Sequence, residues 1–110
     1  MPAPSLLDQH CQPVGGAPLT PEATTAWLAH APAWARCADA PAIERTFTFA
    51  NFHATMAFVN AVAYIAHRED HHPDLHVSYR HCTVRYSTHS VGGLSINDFI
   101  CAAHIDALLA

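Results

Sequence analysis

The run "NFHATMAFVNAVAYIAHRED", from Asn51 to Asp70, constrains the fold of this chain more than any other stretch. Asn51 offers a side-chain acceptor suited to a helix start. Pro73, just beyond the run, biases His72 away from helical geometry, so the spacing predicts one long helix that stops there. Between Ala54 and Ala66 only Thr55 and Asn60 are plainly polar. One face of a small sheet cannot cover a helix that is apolar nearly all round. Either the helix is alanine-rich with a tolerable exposed side, or it meets a second subunit. The second reading agrees with how rarely monomers expose large apolar patches. A charge introduced at Val62 would test it.

The segments around this helix set the fold class. Residues 1–19, with Pro2, Pro4, Pro13, Pro18, Gly15 and Gly16, read as an irregular lead-in. In "LTPEATTAWLAH" Thr20 can cap a first helix, Pro21 sits where a missing N–H costs nothing, Glu22 suits the positive helix end, and Pro32 stops it. "AWARC" and "AIERTFTF" flank a turn at "DAP" and form a hairpin. Ile43, Phe47 and Phe49 share one face, Glu44, Thr46 and Thr48 the other, and Arg45 violates the apolar register. "LHVSY" and "CTVRYSTH" are the third and fourth strands, the latter with Cys82, Val84, Tyr86 and Thr88 on one face. "SVGG" is a tight turn. "LSINDFICAAHIDALL" is the last helix, with Ser95 and Asp98 at capping-box spacing. The order helix, two strands, helix, two strands, helix predicts an α+β fold: a four-stranded antiparallel sheet with three helices on one face.

Composition narrows the function classes. At 110 residues the chain is one domain, and with 13% charged residues it is globular rather than disordered. There is no lysine, and the formal charge is −4, so nucleic-acid binding through phosphate contacts is not expected. No apolar run approaches a membrane span. Cys11, Cys37, Cys82 and Cys101 form no Cys-x-x-Cys pair, and "MPAPSLLDQHC" does not read as a secretory signal. A cytoplasmic protein with reduced thiols is expected, with Cys82 and Cys101 buried and inert.

Ten histidines are the unusual feature. Pro73 places Asp70, His71 and His72 at the C-terminal end of the long helix, where the helix dipole and a neighbouring carboxylate both favour an imidazolium. Pairing of the last two strands would bring His89 toward that end. Two imidazoles across a pocket could take and give a proton near neutral pH. A polar helix cap would account for the "HHP" run equally well. His67 and His71, four apart, with His89 could form a three-histidine zinc site. The glutamate usual between such a pair is missing, however, and no metal is expected. His10, His30, His53, His76, His81 and His104 occur singly and read as surface or core-edge residues.

The stretch from His67 to Asp98 resembles the signature of the pterin-4a-carbinolamine dehydratases: a polar or acidic residue shortly before "HHP", then a tyrosine, a histidine and an aspartate. Here these are His67, His71-His72-Pro73, Tyr79, His89 and Asp98. "IERTFTFANFHATMAFVNAVAYIA" and "STHSVGGLSINDF" extend the likeness. The resemblance implies dimers or tetramers and a metal- and cofactor-free removal of water from a 4a-hydroxytetrahydropterin. That compound is what an aromatic amino-acid hydroxylase, a possible partner, leaves behind. It further implies that His71 and His89 are the acid–base pair and that His72 orients the pterin. Asp70 would orient a histidine or contact the substrate, and Ser87, Thr88 and Ser90 would supply polar contacts beside His89. The chain departs from the pattern at His67, where many members carry glutamate, at Leu75, where tryptophan is common, and at Ser90, where an acidic residue is frequent. Some relatives of this fold are thought to act as non-enzymatic assembly or regulatory partners, which is the alternative.

Overall fold

Local chemistry starts each helix. In the computed structural model, which describes residues 5–109, the Thr20 hydroxyl accepts from the Ala23 N–H and Pro21 opens α1 (Pro21–Leu28). Asn51 accepts from the Ala54 N–H at the start of α2 (Phe52–Glu69). Ser95 and Asp98 form the full capping box of α3 (Ile96–Asp106). A substituted cap of this kind typically costs about 1 kcal/mol. Residues 1–4, including Pro2 and Pro4 of the lead-in, lie outside the described residues.

Four strands lie between these helices: β1 (Ala35–Arg36), β2 (Ile43–Thr48), β3 (Asp74–Val77) and β4 (His81–Tyr86). They form one antiparallel sheet in the order β1-β2-β4-β3. The element order and fold class are those expected from the sequence. Each strand is shorter than its apolar pattern. The fourth ends at Tyr86, and Thr88 beyond it makes only an isolated bridge to Gly93.

The β2–β4 register places Ile43 opposite Tyr86 and Phe47 opposite Cys82, so both strands turn the same side chains inward. These meet Phe58 and Val62 of α2 and Phe99 and Ile105 of α3 in one buried cluster. Fully burying a side chain such as Val62 or Phe99 contributes about 1.5–3 kcal/mol relative to exposure. The opposite face, with Thr46, Thr48 and His81, is exposed. Arg45 resolves its register violation by chemistry: its guanidinium lies 4.3 Å from the Phe47 ring centroid and its Nη1 donates to Asp106 Oδ1 at 2.7 Å. The Trp34 indole donates to the same carboxylate at 2.9 Å.

Helix α2 sorts its residues more sharply than composition implied. Thr55, Phe58, Val62, Ile65, Ala66 and Glu69 are buried within the chain, while Ala57, Asn60, Tyr64 and His67 face out. The outward side is therefore the alanine-rich one, with Tyr64 at 66% exposure. Val62 belongs to the intrachain core, so a charge there would test folding and not association.

Two anchors hold the far end of the lead-in. The Leu19 N–H donates to the Leu94 carbonyl at 2.8 Å. Gly93 meets Pro18 so closely that a Cβ on residue 93 would lie 2.9 Å from the proline Cβ.

Candidate active site

The site begins where α2 stops. Asp70 adopts the left-handed conformation (φ 51°, ψ 44°), and its N–H reaches back to the Ala66 and His67 carbonyls. The His71 N–H then bonds the Ala66 carbonyl at 3.1 Å. The helix is thus closed by a left-handed cap three residues before Pro73, not by the proline itself. This turn directs His71 at the start of α3, where its Nε2–H donates to Asp98 Oδ1 at 2.6 Å. The Tyr86 hydroxyl donates to the His71 carbonyl at 3.2 Å, and the two rings stack with centroids 5.1 Å apart.

Asp98 is fully buried and satisfied on both oxygens. Its Oδ2 accepts from the Ser95 N–H and the Thr88 hydroxyl, each at 2.9 Å, and Ser95 Oγ lies 2.7 Å from Thr88 Oγ1. The same carboxylate therefore caps α3 and holds an imidazole. Burial alone would push His71 below its ordinary value of 6.5, but the hydrogen bond and charge of Asp98 outweigh it and the pKa is raised.

A second buried carboxylate, Glu69, lies one turn back. Its Oε1 accepts from the Cys11 N–H at 2.7 Å, and its Oε2 accepts from His10 Nδ1 at 2.8 Å and Arg68 Nε at 3.0 Å. Burial works against the charged form here too, yet these donors win and hold the carboxyl down at about 2. Glu69 thereby ties the lead-in to the end of α2. Asn97 extends the seam: Gln12 N–H donates to its Oδ1 at 3.2 Å, and its Nδ2 donates to the Gln12 carbonyl at 2.7 Å. The Ser90 hydroxyl reaches the Val14 carbonyl at 2.8 Å.

Between these parts lies a cavity of about 320 Å³, bordered by the lead-in from Cys11 to Val14 on one side. Asp70, His71, Thr88 and Ser90 line the other. Its size falls within the range of small-molecule sites. A larger hollow of about 460 Å³ lies against Glu44, His76 and Arg85. There Arg85 is already bonded to Glu44 at 3.2 Å, so the charges are paired with each other.

Four residues expected from the sequence, Asp70, His71, Thr88 and Ser90, therefore share one cavity. His72, His89 and Ser87 are not among its lining residues; His72 and His89 are exposed and Ser87 is half-buried. His89 nonetheless lies between Thr88 and Ser90, both of which line the cavity, in a short 3-10 turn that ends at Gly92 (φ 67°). Orientation of the imidazole, expected of Asp70, is done by Asp98. Sequence reasoning did not place Asn97 or residues 11–14 at the site. Their signal was polar residues in "HCQ" and "IND" with no local role in sequence.

Among the described residues, the donor atoms that converge within 4.8 Å of one another are those of His10, Glu69 and His104, not those of His67, His71 and His89. In that group the Arg68 guanidinium already bonds Glu69 at 3.0 Å and approaches His104 Nδ1 at 3.4 Å. A cation beside these donors would be repelled. No helix among the described residues is long and apolar enough to cross a membrane.

The family model for pterin 4 alpha carbinolamine dehydratase matches residues 17–108. A protein of Nitrosomonas eutropha, named provisionally as pterin-4-alpha-carbinolamine dehydratase, is 51% identical over 106 residues, covering 94% of this chain and 93% of its own length. One from Stenotrophomonas maltophilia with the same provisional name is 60% identical over 81 residues, covering 74% of this chain and 70% of its own. Among solved structures, a transcriptional coactivator/pterin dehydratase from Brucella melitensis superposes with a TM-score of 0.80 at 28% identity, over 84% of this chain and 99% of that one. A pterin dehydratase-like RuBisCO assembly factor of the alpha-carboxysome shares the fold, with a TM-score of 0.60 at 21% identity over 69% of this chain and 88% of that one.

Proposed function

Because the chain belongs to the pterin-4a-carbinolamine dehydratase family, we propose that it removes water from 4a-hydroxytetrahydrobiopterin. The product is the quinonoid dihydropterin, in cytoplasmic recycling of the tetrahydrobiopterin used by an aromatic amino-acid hydroxylase. The observation that carries this reading is the 2.6 Å bond from His71 to the buried Asp98, on the wall of a cavity of suitable size.

The chemistry breaks the C4a–O bond and removes the N5 proton, forming a C4a=N5 double bond and releasing water. A departing hydroxyl needs a proton. His71, whose charged form Asp98 favours, is the acid that supplies it. His89, the chain neighbour of the cavity-lining Thr88 and Ser90, takes the N5 proton and returns it through solvent. His72 orients the pterin, and Asp70, Ser87, Thr88 and Ser90 offer polar contacts to its ring edge. The proton and bond balance closes on imidazoles, so no metal or nucleotide is assigned to the reaction. His71→Ala should lower the dehydration rate about a hundredfold, the usual worth of a positioned acid. Wild-type turnover no faster than buffer would remove the reading.

One feature favours a second reading as a non-enzymatic partner-binding module. The edge strand β3 is exposed along its whole length, with Leu75 at 37% and Val77 at 38% exposure. Phe52 and Tyr79 stack nearby with centroids 6.1 Å apart, both strongly exposed. Such an edge also suits the homodimer or homotetramer expected from the resemblance. Val77→Arg, on that exposed edge, abolishing the biological role while His71→Ala leaves it intact would favour the module over the enzyme.

A further inference from the structure

Two cysteines that the proposed reaction does not use meet behind the cavity. Cys11 Sγ lies 3.5 Å from Cys101 Sγ, although the residues are 90 positions apart in sequence. Cys101 is fully buried on α3, whereas Cys11 is half-buried and lines the cavity. The Cys11 backbone is fixed by its N–H bond to Glu69 at 2.7 Å, and its sulfur also lies 3.6 Å from the Asn97 carbonyl oxygen. The Cys11 backbone is thus held beside Cys101 by a bond that does not depend on its thiol.

We propose that Cys11 and Cys101 are a peroxide-sensitive dithiol whose disulfide fastens the lead-in wall of the cavity to α3. Their environments divide the work. The Cys11 thiol 3.5 Å away, aided by the nearby His71, favours the thiolate on Cys101 against the pull of burial, while Cys11 is held as the thiol beside that charge. A thiolate attacks one peroxide oxygen, the O–O bond breaks, and a sulfenic acid and water result once the second oxygen is protonated. The other sulfur then attacks the sulfenic sulfur, the S–O bond breaks, and a second water leaves. In sum two thiols and one hydrogen peroxide give one disulfide and two waters, the sulfurs being oxidised and the peroxide reduced. Bond formation draws the sulfurs from 3.5 Å to about 2.0 Å, a small movement for a surface segment.

The closed loop would span most of the chain, so its stabilising effect is expected near the upper part of the usual range. The constraint falls on the wall from Cys11 to Val14, so the oxidised protein should exchange ligands through the cavity more slowly. This consequence rests on the pterin reading. The cross-link itself does not.

Reduced full-length protein treated with hydrogen peroxide, then alkylated and digested, provides the test. Two of the four free thiols should disappear, one linked peptide pair should contain Cys11 and Cys101, and dithiothreitol should reverse both. The thermal midpoint should rise on oxidation by roughly 5 °C or more. Because Cys101→Ser alters a sealed core position, the half-buried Cys11→Ser is the deciding variant: it should form no link, and its midpoint should not rise. Persistence of four thiols, linkage through Cys37 or Cys82, or a rise in Cys11→Ser equal to that of wild type would each overturn the proposal. Stopped-flow binding of 7,8-dihydrobiopterin to the oxidised and reduced forms reads the effect on exchange, separately from the peptide map.

Discussion

Asp98 and Glu69 are both nearly sealed from solvent, and both are saturated with donors, but they differ in what those donors belong to. The partners of Asp98 are a helix start, the Thr88 hydroxyl and the imidazole of His71. Those of Glu69 are the lead-in backbone, His10 and the neighbouring Arg68. One carboxylate therefore orients a titrating group from behind, while the other fastens a strap that walls the cavity. The contrast shows that burial of a charge identifies a site without naming its job. The partners do that.

The largest separation between the two should come from Asp98. Asp98→Ala should lower dehydration about a hundredfold and destabilise the fold by about 2–4 kcal/mol, since it strands several buried donors. Asp98→Asn, which keeps one acceptor, should recover much of the stability measured by urea unfolding but little of the rate. Recovery of both would break the contrast. Glu69→Gln should cost about 1–2 kcal/mol, speed proteolysis of the lead-in, and raise KM more than it lowers kcat. A kcat loss matching that of Asp98→Asn would erase the difference between the carboxylates.

Titration sharpens the same comparison. Glu69 is depressed from 4.5 to about 2, so its contribution to stability is present above 4.5 and is lost as pH falls from there toward 2. Denaturant midpoints across that window should fall in the wild type and flatten in Glu69→Gln. His71 is raised above 6.5, so its contribution is complete below 6.5 and disappears as pH rises through the folded value. Asp98→Asn should remove that alkaline limb while leaving the acid limb of Glu69 in place. The smallest effect belongs to the outlying pair: Arg45→Met should cost about 0.5–1 kcal/mol in thermal unfolding and leave dehydration unchanged.

Elements with a local signal were legible in the sequence. Thr20-Pro21, Asn51 and Ser95 with Asp98 carry their caps within a turn, and alternation in β2 and β4 set the inward faces. Arg45 was not legible because its partner, Asp106, is 61 residues away. Asp98 was visible both as a cap and as the last residue of the signature, but its bond to His71, 27 residues away, left no trace in the spacing. The lead-in carries no periodic signal, yet its residues 11–14 border the cavity through contacts 58 or more residues distant. His71 and Thr88 were found from the motif. The exposed positions of His72 and His89 follow from turns whose direction local pattern does not encode.

The close approach of Gly93 to Pro18, together with the Leu19–Leu94 bond, gives the strap a second mooring opposite Glu69. A segment tied at both banks cannot swing aside as a hinged door does. With Gln12 and Val14 moored to Asn97 and Ser90 as well, what can arch is the short stretch between Val14 and Pro18, and a methyl group added at Gly93 would lift one footing of that bridge.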